Sequence, residues 1–141
     1  MTNKTKQPEL RAANLSVEQM ELAIPKIDRR LADLEKLDVN SVNDRSDPRI
    51  GALETQLDIL LASIFGAGTV EYDKYKWETT HLDTASINIP YGTPMHEVRE
   101  GLRHGLSKAE ALLKAIKTGF LEELEDAGGK EALPRHKRHE I

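Results

Sequence analysis

The sequence contains no cysteine. That excludes disulfides, thiolate metal sites and cysteine nucleophiles together, and fits a reducing compartment. Aromatics are scarce, with one Trp, three Tyr and two Phe in 141 residues. A core must therefore be built from Leu, Ile, Val and Ala, which favours helix packing over a sheet sandwich. No stretch approaches the roughly 18 consecutive apolar residues that a membrane span requires, and the opening fourteen residues lack the apolar segment of a secretory signal. A cytoplasmic protein with no membrane partner is expected. Positive charge is not in excess either: 20 Lys and Arg against 24 Asp and Glu give a net charge of −4, which argues against a surface that coats nucleic acid.

Catalytic motifs are missing as well. There is no Gly-rich phosphate loop, no metalloprotease histidine–glutamate order and no Gly-x-Ser-x-Gly elbow, so no enzymatic activity, cofactor or metal is expected. His96, Glu100 and His104 recur at four-residue spacing on one helical face, a spacing zinc can use. Glu97, Arg99, Arg103 and Lys108 make the same region a dense charged surface, and Arg103 beside His104 disfavours a cation. The cluster therefore reads as a solvated face.

What the sequence has in abundance is helical periodicity. Residues 1–14 are polar and aperiodic and are expected to form a disordered arm. Ser16 and Gln19 make a capping box, and Leu15 can staple onto Met20. Met20, Ile24, Ile27, Leu31 and Leu34 then form one apolar stripe. Pro25 interrupts it, predicting a kink or a new helix starting there. The Asn, Asp and Ser residues of 38–46 form a loop. Asp47 as cap with Pro48 at the first helical position opens a second helix. It carries Ile50, Leu53, Leu57, Leu60 and Ile64, stops at Gly66 and Gly68, and pairs antiparallel with the first.

Residues 69–92 are irregular. Thr69 can cap a short turn, and alternation of Ala85, Ile87 and Ile89 with polar residues is compatible with one short strand over 84–89, which would pair across a subunit boundary, or with a simple extended crossover. Thr93 and Pro94 open the dominant feature, a helix to Asp126 of roughly 50 Å. Its apolar stripe is longer than the second helix, on the order of 27 Å, can cover, so the surface near Leu113 to Leu124 needs the first helix, another subunit or a further domain. The expected fold is mainly α: an antiparallel hairpin packed on a long C-terminal helix. A single domain over 15–127 is followed by a basic flexible tail over 128–141, where Arg135, His136, Lys137, Arg138 and His139 lie together.

With the elements placed, residues 24–126 resemble the helical N-terminal region of bacterial predicted nucleotide-binding proteins that carry a TIR-like domain. Ile64, Phe65, Gly66, Gly68, Thr69, Val70, Glu71, Tyr72 and Tyr75 carry most of the resemblance. The closing LPRHKRHEI is similar to the linker before that domain, and no TIR-like domain is expected within these 141 residues. Nucleotide binding and NAD cleavage belong to that domain, so the resemblance implies only a helical module for oligomerisation, sensing or partner contact.

Two functions follow as expectations. The first is a non-enzymatic oligomerisation or protein-interaction module, in a bacterial or phage defence setting, that binds itself or a TIR-like-domain protein. Its face would be Gly101, Gly105, Ala109, Leu113, Phe120 and Leu124 on the long helix, with unmet burial as the driving force. The more ordinary reading of the two glycines is that they let a neighbouring helix approach closely. The second is a small-ligand protein, such as a sponge for a nucleotide signal, using Tyr72, Tyr75, Trp77 and Tyr91.

Overall fold

The computed structural model describes residues 9–87 and 92–131, with side chains to Gly128. Tyr91, residues 88–89 of the expected strand and the basic run 135–139 lie outside the described residues. Four helices follow in order: α1 (Val17–Lys36), α2 (Pro48–Phe65), α3 (Val70–Thr79) and α4 (Met95–Glu131), with a 3₁₀ turn at Val39–Ser41 after α1. None is long and apolar enough to cross a membrane.

Local chemistry sets the helix starts. The capping box forms, with the Gln19 N–H donating to Ser16 Oγ (3.1 Å) and the Ser16 N–H to Gln19 Oε1 (2.7 Å). Asp47 accepts from the Arg49 N–H (2.9 Å) ahead of Pro48. Gly66, at φ +86°, closes α2 in a backbone region that side chains disfavour. Pro25 does not break α1, which continues to Lys36. Pro25 and Glu21, one turn before it, both lie on the exposed face of the helix, where a proline ring meets little packing.

Long-range contacts define the packing. Lys117 meets Asp28 at 2.7 Å, Arg103 donates to Asn40 Oδ1 at 2.6 Å, and Arg99 donates to the Val42 carbonyl at 2.9 Å. Numbers fall along α4 as they rise along α1 and its following turn, so the two run antiparallel. Tyr72 and the Leu82 N–H bond to Asp58 and Glu54 respectively, which sets α3 antiparallel to α2. Contacts join α1 to α2, α2 to α3, α3 to α4 and α4 to α1. The result is a four-helix arrangement in which α2 lies diagonally opposite α4. Their rings still meet, with Phe65 and Phe120 centroids 6.0 Å apart. Ile27, Leu57, Leu61, Leu102 and Leu113 are fully buried in the core, each burial contributing about 1.5 to 3 kcal/mol.

Three expectations change. Order reaches upstream of residue 15: Arg11 pairs its backbone with the α2–α3 connection, through Arg11 N to Gly68 O (3.2 Å) and Val70 N to Arg11 O (2.8 Å), and the Ala13 N–H donates to Glu71. The turn at Thr69 extends to the ten residues of α3. The C-terminal helix continues through Glu131 rather than ending at Asp126, so residues 128–131 are helical and not tail, and Leu124 and Gly128 are buried.

The largest correction concerns α4. Its 37 residues extend about 55 Å, and each of its flanks is covered in relay. On one side α1 hands over to the 3₁₀ turn and Val42. On the other, α3 hands over to an extended crossover at 82–86. Of the candidate covers, the first helix supplies one flank, while α2 lies diagonally opposite.

The crossover is also where the expected strand falls. Residues 84–87 have no regular secondary structure, and no strand forms among the described residues. Instead the chain presses its backbone into the two glycines of α4. A Cβ at Gly101 would lie 2.5 Å from Ala85 N, and one at Gly105 would lie 2.6 Å from the Leu82 carbonyl carbon. Leu82 itself is fully buried. Arg45 holds the crossover down. Its Nε and Nη2 grip the Asp83 carboxylate (2.7 and 3.2 Å), Nη1 donates to Ser86 O (3.0 Å) and Thr93 Oγ1 (3.1 Å), and Nη2 also donates to Ala85 O. All the N–H donors of a guanidinium are thereby used.

Candidate functional site: the seam between α1 and α2

The site begins with two apolar residues that the core does not take. Leu22 lies off the α1 stripe and Ile59 off the α2 stripe, and they remain 67% and 61% exposed. The antiparallel pairing of the helices places them along a single furrow made of three connected hollows. Gln19, Leu22, Ala23, Lys26, Ser63 and Ile64 line the first, of about 90 Å³. Lys26 and Ser63 continue into the second, of about 340 Å³, with Arg29, Arg30, Gln56, Ile59 and Leu60. Gln56 leads into the third, of about 270 Å³, with Asp33, Lys36, Leu37, Arg49, Ala52 and Leu53.

The furrow has an apolar floor and cationic walls. Leu53, Leu60 and Ile64 are core residues whose edges reach it. Around them stand Lys26, Arg29, Arg30, Lys36 and Arg49, against one lining carboxylate, Asp33. Arg30 is paired with Asp33 at 2.8 Å and Arg49 with Asp47 at 2.8 Å. Donation from the Arg49 side chain and backbone holds the Asp47 carboxyl below its ordinary range. Lys26, Arg29 and Lys36 form no ion pair among the described residues. Such a surface suits an elongated partner with apolar anchors and negative charge. The Ser63 hydroxyl within it donates to the Leu60 carbonyl (3.0 Å).

The residues singled out in the sequence are placed differently. Gly101, Gly105, Ala109, Leu113 and Leu124 are buried or covered within the chain itself, and Phe120 is half-buried against Phe65. The α4 face expected to drive self-association is thus occupied by intramolecular packing. Tyr72, Tyr75 and Trp77 share α3 but do not converge. Tyr72 donates to Asp58 (2.5 Å) with Lys76 above its ring, Tyr75 tilts against Phe65 at 5.4 Å, and Trp77 stacks on His81 at 4.3 Å with 71% of its surface exposed. None of them lines the three hollows. His96, Glu100 and His104 are exposed along α4, and no three potential ligands converge on a metal position among the described residues.

The Tyr72 phenol is pushed above its ordinary value of 10.0, mainly because it donates to the Asp58 carboxylate. A raised folded-state value means that the bond stabilises the fold below pH about 10 and that this contribution is lost as the pH rises through the folded pKa. A spectrophotometric titration is expected to show one phenol ionising above pH 10, and Tyr72→Phe to remove that late step. Retention of the step in Tyr72→Phe would refute the assignment.

No protein-family model matches the chain, and no curated protein or solved structure is significantly similar to it. The fold and the seam define it as an all-α four-helix protein with a basic, apolar-floored furrow on one side.

Proposed function

We propose that the protein is a non-enzymatic interaction module whose docking face is the α1–α2 seam. The observation that carries this reading is the pair Leu22 and Ile59, exposed along a continuous cationic furrow. Single exposed aliphatic residues are common. Two that flank a long hollow over an apolar floor have the form used to receive a partner helix. The α4 face no longer supports self-association, because the chain's own crossover and helices fill it. The resemblance to helical regions that precede TIR-like domains favours a TIR-like-domain protein as partner, within a bacterial or phage defence system.

Capture from a bacterial lysate on immobilised wild-type protein and Ile59→Asp tests the docking face. Ile59 faces solvent, so the substitution should leave the thermal melt unchanged. A stoichiometric partner held by wild type and lost on Ile59→Asp is expected. Identical captured proteins on both would remove the seam from consideration.

A further inference from the structure

We infer that the α1–α2 furrow receives an acidic amphipathic helix carrying large apolar side chains seven residues apart. The inference rests on the docking role proposed for the seam and adds the chemistry of its occupant. Two observations converge on it, one of shape and one of charge.

The shape is periodic. Along α1 the walls of the successive hollows repeat through Leu22, Arg29 and Lys36, and along α2 through Arg49, Gln56 and Ser63. Each step is seven residues, or about 10.5 Å. A helix laid in the furrow presents equivalent side chains at the same two-turn interval, so its anchors meet successive hollows in register. An extended strand repeats every two residues, near 6.6 Å, and would fall out of step. The seam from Gln19 to Leu37 is about 27 Å long, enough for some five turns. The two larger hollows, about 340 and 270 Å³, have room for Leu- or Phe-sized side chains.

The charge selects the partner's flanks. Lys26, Arg29 and Lys36 stand on one wall and form no ion pair among the described residues, on a chain whose net charge is −4. Carboxylates beside the partner's apolar seam would meet them as flanking charges do in coiled coils. A nucleic-acid strand would use the same cations but would leave Leu22 and Ile59 facing a polyphosphate backbone.

The test uses the full chain and three fluorescent probes: a peptide of about 18 residues with Leu at heptad positions a and d and Glu with Ala elsewhere, its Lys-for-Glu counterpart, and a single-stranded oligonucleotide. Anisotropy titrations are expected to show saturable binding of the acidic peptide alone, weakening with added salt. Ile59→Asp should reduce its affinity by about 30-fold, and combined Lys26→Glu and Arg29→Glu by about tenfold. Thermal melts of both variants should match wild type, because the altered side chains are exposed. Four results would overturn the inference: no binding of the acidic peptide, equal binding of the Lys peptide or the oligonucleotide, acidic-peptide affinity unchanged by Ile59→Asp, or dimerisation of the chain abolished by Ile59→Asp. Failure of the peptide together with a lysate partner that still depends on Ile59 would reject the acidic helix and leave the docking face standing.

Discussion

Gly105→Ala is expected to destabilise the protein by about 3 kcal/mol, whereas Gly119→Ala, in the same helix, should stabilise it by up to about 1 kcal/mol. Intrinsic propensity favours alanine equally at both positions, by roughly 1 kcal/mol. The surroundings reverse the sign at one of them. Nothing lies within 4 Å of a Cβ at Gly119, but at Gly105 the Cβ would strike the backbone of Leu82, 2.6 Å from its carbonyl carbon. Backbone cannot rotate away as a flexible side chain can. The new methyl must either strain the contact, at a cost of about 1 to 3 kcal/mol or more, or lift the crossover. Lifting exposes Leu82, whose burial contributes about 1.5 to 3 kcal/mol, and opens its bond to Glu54. Urea unfolding of both variants checks the prediction. A neutral Gly105→Ala would mean that the crossover does not rest on α4.

Arg45→Met should cost about 2 to 3 kcal/mol in the same measurement. Methionine keeps much of the aliphatic stem but removes every donor that binds the crossover. The Asp83 side chain, 17% exposed, then keeps a donor in the Ala85 N–H (3.1 Å) but loses its bidentate guanidinium. The carbonyls of Ala85 and Ser86 lose an anchor as well. Breaking a partly buried charge pair leaves the remaining charge poorly solvated, which costs more than an exposed pair contributes. Because Arg45 and Gly105 act on the same segment, the double variant should lose less than the sum of the two. Full additivity would show that the guanidinium and the glycine support different parts of the fold.

The candidate docking site was only partly legible before the fold was known. Leu22 and Ile59 could have been noticed as aliphatic residues outside the stripes of their helices. Nothing local says that these two lie along one furrow, because that depends on the antiparallel register of α1 against α2. Arg45 was less visible still. It sits among Asn, Asp and Ser in a loop, and its partners Asp83, Ser86 and Thr93 are 38 to 48 positions away. Tyr72 and Tyr75 do not converge for a related reason. Tyr72 and Tyr75 are close in sequence, but the helix turns one toward Asp58 and the other toward Phe65.

Sequence alone determined the elements whose causes are short-range. The box at Ser16 and Gln19, the cap at Asp47 with Pro48, the stop at Gly66 and the start of α4 after Pro94 all depend on interactions within about one helical turn, so the residues carry them directly. It also determined which stripes enter the core, since apolar periodicity does not need the identity of the facing element. Tertiary structure alone decided what faces what. The alternating residues at 84–87 became a crossover rather than a strand because Gly101 and Gly105 left room for backbone and Arg45 supplied a clamp. It likewise turned α4 from an unmet surface into a covered one, and moved the candidate docking face to α1 and α2. Those outcomes depend on distances between residues remote in the chain, which no local pattern records.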